Sequence, residues 1–80
     1  MKTYKFPNFN AELIDPQIIH LQWTDGYGAN SMPVMAILQT PDGSKYGTDI
    51  GTFDYSEKGT YEDADVMEWA IQELEKFKVS

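Results

Sequence analysis

The chain has no cysteine, no arginine and a single histidine, His20. Without cysteine there is no disulfide, no thiolate metal ligand and no Cys-His nucleophile pair, and one histidine cannot build a multi-histidine metal site. Without arginine the planar fork that grips phosphate or carboxylate through two parallel hydrogen bonds is missing, and with it the commonest clamp for nucleotides. Long apolar runs are missing as well. The longest, Met32 to Leu38, has seven residues, against the roughly 20 needed to cross hydrocarbon. No basic amphipathic stretch suits an anionic membrane surface. Lys2 and Lys5 are not followed by the apolar stretch of a signal peptide, so the expected compartment is the cytoplasm.

What is present is acid and aromatic surface. The 80 residues carry 13 acids against 6 lysines, a net charge of -7, together with 2 Trp, 5 Tyr and 4 Phe. So many large side chains argue against a disordered acidic tail. The length suits one compact domain, residues 1–80 with an N-terminal arm over 1–16, and a folded surface of roughly 4,900 Å². The charge is uneven: residues 1–40 hold Glu12, Asp15 and Asp25, whereas ten acids fall in residues 41–80. Between 54 and 68, Asp54, Glu57, Glu62, Asp63, Asp65 and Glu68 are opposed by Lys58 alone. Such a surface repels phosphate, which excludes direct nucleic-acid binding, and attracts a basic protein surface. Excess acid also serves simply to keep a small protein soluble.

Tyr4, Phe6, Phe9, Leu13 and Ile14 in the arm are interrupted by Pro7, Asn8, Asn10 and Asp15-Pro16, the pattern of an irregular packed segment with short strands at its ends. In Gln17 to Thr24, strict alternation places Ile19, Leu21 and Trp23 on one face of a strand and Ile18, His20 and Gln22 on the other. A loop from Thr24 to Met32 carries Gly26 and Gly28, and Val34 to Thr40 reads as a central strand. Thr40-Pro41-Asp42-Gly43 predicts a type I turn with a G1 bulge. The returning strand is expected from Ser44 or Lys45 to Thr48 and on to Phe53. Tyr46, Thr48 and Ile50 share one side of it, and Gly47 and Gly51 suggest a bend or bulge. Thr60, with Asp63 three residues on, predicts the start of a helix over 61–77. The expected fold is α+β: an antiparallel sheet of three or four strands packed on one face by a long C-terminal helix.

On that helix Ala64, Met67, Ala70, Ile71, Leu74 and Phe77 form a stripe at 100° per residue, the predicted core face. Trp69 falls roughly opposite, near Asp65, Glu73 and Glu62, which is the composition of an interface anchor with a charged rim. The competing reading packs Trp69 under the arm against Phe6 or Phe9, or stacks it on a crystal or dimer partner. With the sheet's first face covered by the helix, Ile18, Met35 and Ile37 are expected to show on the second.

Chemistry finds little support. No serine sits in a nucleophile-elbow pattern near His20. Carboxylate pairs such as Asp49 with Asp54 or Glu62 with Asp65 lack the apolar setting that raises a catalytic pKa, which leaves a small hydrolase as the weakest alternative. Asp49 to Asp54 departs from the calcium-loop order, and Gly26-Tyr27-Gly28 lacks the lysine and serine of a phosphate loop. No cofactor and no metal is expected. The favoured reading is a non-catalytic protein-binding module whose partner-binding residues are Trp69, Asp65, Glu62, Glu73, Asp54, Glu57 and Tyr27. Its partner would be a basic protein surface, including that of a nucleic-acid enzyme, because carboxylates about 5 to 6 Å apart on a helix roughly imitate phosphate spacing. In size and charge the chain resembles the small acidic proteins of phages and mobile elements that block host nucleases, anti-CRISPR and anti-restriction proteins among them. That resemblance aligns no motif and implies no particular residue. The alternative is a structural or regulatory subunit that homodimerises through an exposed sheet face.

Overall fold

In the computed structural model, which describes residues 1–24 and 30–80, the chain runs β1 (Thr3–Lys5), β2 (Glu12–Ile14), β3 (Gln17–Trp23), β4 (Ser31–Gln39), β5 (Lys45–Asp54) and α1 (Asp63–Glu75). β3, β4 and β5 form one antiparallel sheet in that order, and β1 pairs antiparallel with β2. The helix packs against the sheet, its contacts concentrated on β5, so the expected α+β architecture holds.

Along β4 the side chains alternate. Met32, Val34, Ala36 and Leu38 are buried, while Pro33 and Met35 face outward. The turn into β5 takes the predicted form. Gly43 has φ 90°, its N–H donates to Thr40 O at 2.9 Å, and Thr40 N–H donates to Ser44 O at 3.0 Å. The Asp42 carboxylate braces it, accepting hydrogen bonds from the Thr40 hydroxyl and from Ser44 N–H at 3.0 Å, and these hold its carboxyl below the ordinary range. In β5, Val34 faces Gly51 and Met35 faces Asp49, so Ile50 is the extra residue of a bulge and turns into the core behind Thr48. Gly51 follows at φ 140°.

Two sequence expectations are corrected by single-residue shifts. In β3, Ile18 opposes Leu38 and His20 opposes Ile37, leaving Ile19 as a bulge residue. The bulge inverts the alternation ahead of it, so Ile18 joins Leu21 and Trp23 on the inner side and Ile19 turns outward, 45% exposed. The outer face therefore shows Pro33, Met35 and a half-buried Ile37, without Ile18. At the helix start the N-cap is Glu62, not Thr60. Its backbone N–H donates to Asp65 Oδ2 at 3.0 Å, the reach-back half of a capping box, and the helix spans 63–75 rather than 61–77.

The helix is also rolled relative to the predicted stripe. Val66, Ala70 and Leu74 are buried, Met67 is half-buried, and Ala64 and Ile71 are exposed, Ile71 at 53%. Counting Val66 and Trp69, the apolar residues cover about 220° of the helix circumference, far more than one sheet contact buries. The sheet selects the half centred near Val66 and Ala70, about 60° from the sequence estimate.

The arm belongs to the core. Tyr4, Phe6 and Leu13 are buried, and the Phe6 ring lies 4.7 Å from that of Phe77. After the helix the chain turns back along β1. Lys5 N–H donates to Phe77 O at 2.9 Å, Thr3 N–H to Ser80 O at 3.0 Å, and Val79 N–H to Thr3 O at 2.8 Å. Tyr4 Oη donates to Glu75 Oε1 at 3.3 Å, joining β1 to the helix. The molecule measures 38 × 21 × 20 Å, with a radius of gyration of 13.3 Å; a chain of this length in a round domain would give about 11.6 Å. Its accessible surface of 5288 Å² likewise exceeds the roughly 4,900 Å² of the scaling relation. Both fit an elongated molecule, about twice as long on one axis as on the other two. No helix among the described residues is long and apolar enough to cross a membrane.

Candidate functional site

Five aromatic side chains gather at the end of the molecule where β3 and β5 finish and α1 begins. The Trp69 ring stands 5.4 Å from Phe53 at 63°, Phe53 lies 6.1 Å from Tyr55 and from Tyr61, and Trp23 Nε1–H donates to Tyr61 Oη at 3.2 Å. Such edge and offset geometries are the favoured ones for aromatic pairs. Each ring is half-buried, so the cluster has a packed underside and an outward edge.

Trp69 is thus neither fully outward, as the helical wheel suggests, nor tucked under the arm. It leans over β5 and lies against Gly51, where a Cβ would meet Trp69 Cζ2 at 3.4 Å, an ordinary contact distance. The same glycine has a φ that L side chains rarely adopt. Gly51→Ala should therefore cost about 1–3 kcal/mol in a urea melt and shift the tryptophan emission. Gly47→Ala is the control, because its Cβ would meet Ile37 Cδ1 at an ordinary 3.5 Å, and it should change stability by less than about 0.5 kcal/mol.

Between this wall and the turn after β5 runs an open groove of about 270 Å³. Phe53, Tyr55 and Trp69 supply its apolar side, Asp54, Glu57, Asp65 and Glu68 its acidic rim, and Lys58 and Gln72 complete it. The rim is built from defined local structure. Asp54 Oδ1 accepts Ser56 N–H at 2.9 Å, Tyr55 N–H donates to Asn30 O at 2.8 Å, and Gly59 at φ 72° closes the turn with its N–H on Tyr55 O at 2.8 Å. Bonds from the Ser56 hydroxyl and backbone hold the Asp54 carboxyl below its ordinary value, so it stays charged into the acid range. Asp65 is oriented by Glu62 N–H and sits in the first turn of the helix, where the dipole favours negative charge.

Of the seven residues proposed from sequence, the fold brings Trp69, Asp65, Asp54 and Glu57 to this groove. Glu62 and Glu73 do not line it. Glu62 is occupied as the helix N-cap, and Glu73 lies toward the helix's C-terminal end in an ion pair, Glu73 Oε2 to Lys76 Nζ at 2.9 Å. Tyr27 lies outside the described residues. Sequence reasoning missed Phe53, Tyr55, Glu68, Lys58 and Gln72 as groove residues. The available signal was Phe53 and Tyr55 alternating along the strand that runs into the acidic segment.

The Lys76–Glu73 pair is the only ion pair among the described residues, so the four rim carboxylates have no salt-bridge partner there. Nor do three His, Cys, Asp or Glu side chains converge anywhere among the described residues closely enough to hold a metal. The groove is an anionic, aromatic-sided surface with its charge spread along a rim. No protein-family model, curated protein or solved structure matches this chain.

Proposed function

We propose that this protein is a non-catalytic binding module that docks the acidic end of the molecule, the groove beside Trp69, onto a basic protein surface. The observation that carries this reading is the meeting, in one groove, of three aromatic rings and four carboxylates that have no salt-bridge partner among the described residues. Association brings cations to a rim whose charges otherwise repel one another, while the rings supply apolar contact area of the kind that dominates binding energy. A partner that normally holds nucleic acid presents such a basic surface, and occupying it would occlude it.

The experiment is affinity capture at low and high salt with the intact chain. A stoichiometric complex with a basic protein, released as salt rises and weakened in Glu57→Gln/Glu68→Gln, is the expected result. Capture unaffected by those substitutions would refute the reading. A second reading is favoured by one observation, the outward Met35, 39% exposed beside Pro33 and Ile37 on the uncovered sheet face. A dimer by light scattering that Met35→Lys dissociates would support homodimerisation through that face instead.

A further inference from the structure

We propose that the groove beside Trp69 seats one arginine side chain of an extended basic segment, with the guanidinium stacked against the rings and hydrogen-bonded to the rim carboxylates. The inference rests on the acidic docking proposed above and names the group that is recognised.

Size is the first argument. The groove, about 270 Å³ and open to solvent, is large enough to take a single side chain. The second is the distribution of charge. Because no three His, Cys, Asp or Glu side chains converge among the described residues, a small metal ion would find no coordination shell there, whereas a planar guanidinium needs only one or two carboxylates to accept its hydrogen bonds. The third is the wall. Trp69, Phe53 and Tyr55 offer ring surface at the groove, and a guanidinium stacks on such surface while giving up less hydration than an ammonium does. The fourth is composition. The chain has no arginine, so neither this molecule nor a second copy can supply the group. Lys58 lines the groove but forms no ion pair with the described rim carboxylates, which leaves them available to an incoming cation.

The test is a titration of the isotope-labelled full chain with acetyl-Gly-Gly-Arg-Gly-Gly-amide and with its lysine and citrulline counterparts, followed by amide and indole proton shifts. Expected is saturable movement of the Trp69 indole N–H and of the Glu57 and Glu68 amides, with the arginine peptide about 3- to 10-fold tighter than lysine. Citrulline, which keeps the shape and loses the charge, should not saturate. Glu57→Gln/Glu68→Gln should weaken arginine binding at least about threefold, and Glu12→Gln/Asp49→Asn should leave it unchanged. Equal affinity for arginine and lysine, shifts centred on the outer sheet face, or movement of the Trp69 signal with protein concentration alone would overturn the proposal. If arginine loses its preference but salt-released capture of a basic protein persists, the seat fails and the docking stands. If the arginine peptide binds the groove and no basic protein is captured, the docking fails and the seat stands.

Discussion

Val66→Asp is expected to leave no measurable folded population at 25 °C, whereas Ile71→Asp should melt within about 1 kcal/mol of the parent. Val66 is 0% exposed between the helix and the sheet, and Ile71 shows half its surface to water. An unpaired carboxylate forced into the Val66 site costs several kcal/mol even after local relaxation. A domain of this length has a total stability of roughly 4–12 kcal/mol, and this one buries less surface than its size allows. The pair tests the roll of the helix directly, because the stripe read from periodicity places Ile71 inside and omits Val66. Urea denaturation followed by far-UV circular dichroism measures both. Unfolding by Ile71→Asp with tolerance of Val66→Asp would restore the sequence-based face.

Phe6→Ala should cost about 3–5 kcal/mol. The ring has no exposed surface, lies 4.7 Å from Phe77 at a tilt of 34° and meets Phe9 edge-on at 5.9 Å. It also lies where the arm and the chain end hold each other, one residue after Lys5, whose N–H donates to Phe77 O. Loss of the ring should therefore do more than leave a cavity. Amide exchange at Thr3, Lys5 and Val79, whose N–H groups bridge the arm and the tail, should accelerate well before that of β4. Unchanged protection at those three amides would show that the tail pairing stands without the aromatic contact.

What the sequence made legible was local. Pro41, Asp42 and Gly43 encode their turn through backbone preference alone, and the alternation of β4 follows from burial of one face, so both appear in the structure as read. What it hid depended on partners. A bulge at Ile19 reverses a face with no marker residue, since nothing in Ile18-Ile19-His20 distinguishes an inserted residue from a paired one. The helix offers more apolar circumference than it buries. Which half is buried depends on β5, another element, against which Val66, Ala70 and Leu74 are packed and where Gly51 lies beside the indole. The pairing of β1 with residues 77–80 is non-local and has no signature in either segment.

The candidate site divides the same way. Asp54, Glu57, Asp65 and Trp69 reach one groove because the turn after β5 and the first helical turns fold as neighbours along the chain. Glu62 and Glu73 are drawn off by capping and by Lys76. Both demands arise from the helix's own backbone and charge, and neither is visible in a count of acids.

The most direct measurement compares capture of a basic partner by two variants of equal net charge. Glu57→Lys/Glu68→Lys reverses the groove rim, and Glu12→Lys/Asp49→Lys reverses the same number of charges elsewhere, each taking the chain from -7 to -3. The account predicts that the first loses the partner while melting no earlier than the parent, and that the second retains it. Equal loss in both would mean that total charge, not the groove beside Trp69, governs association, and would contradict the proposed site.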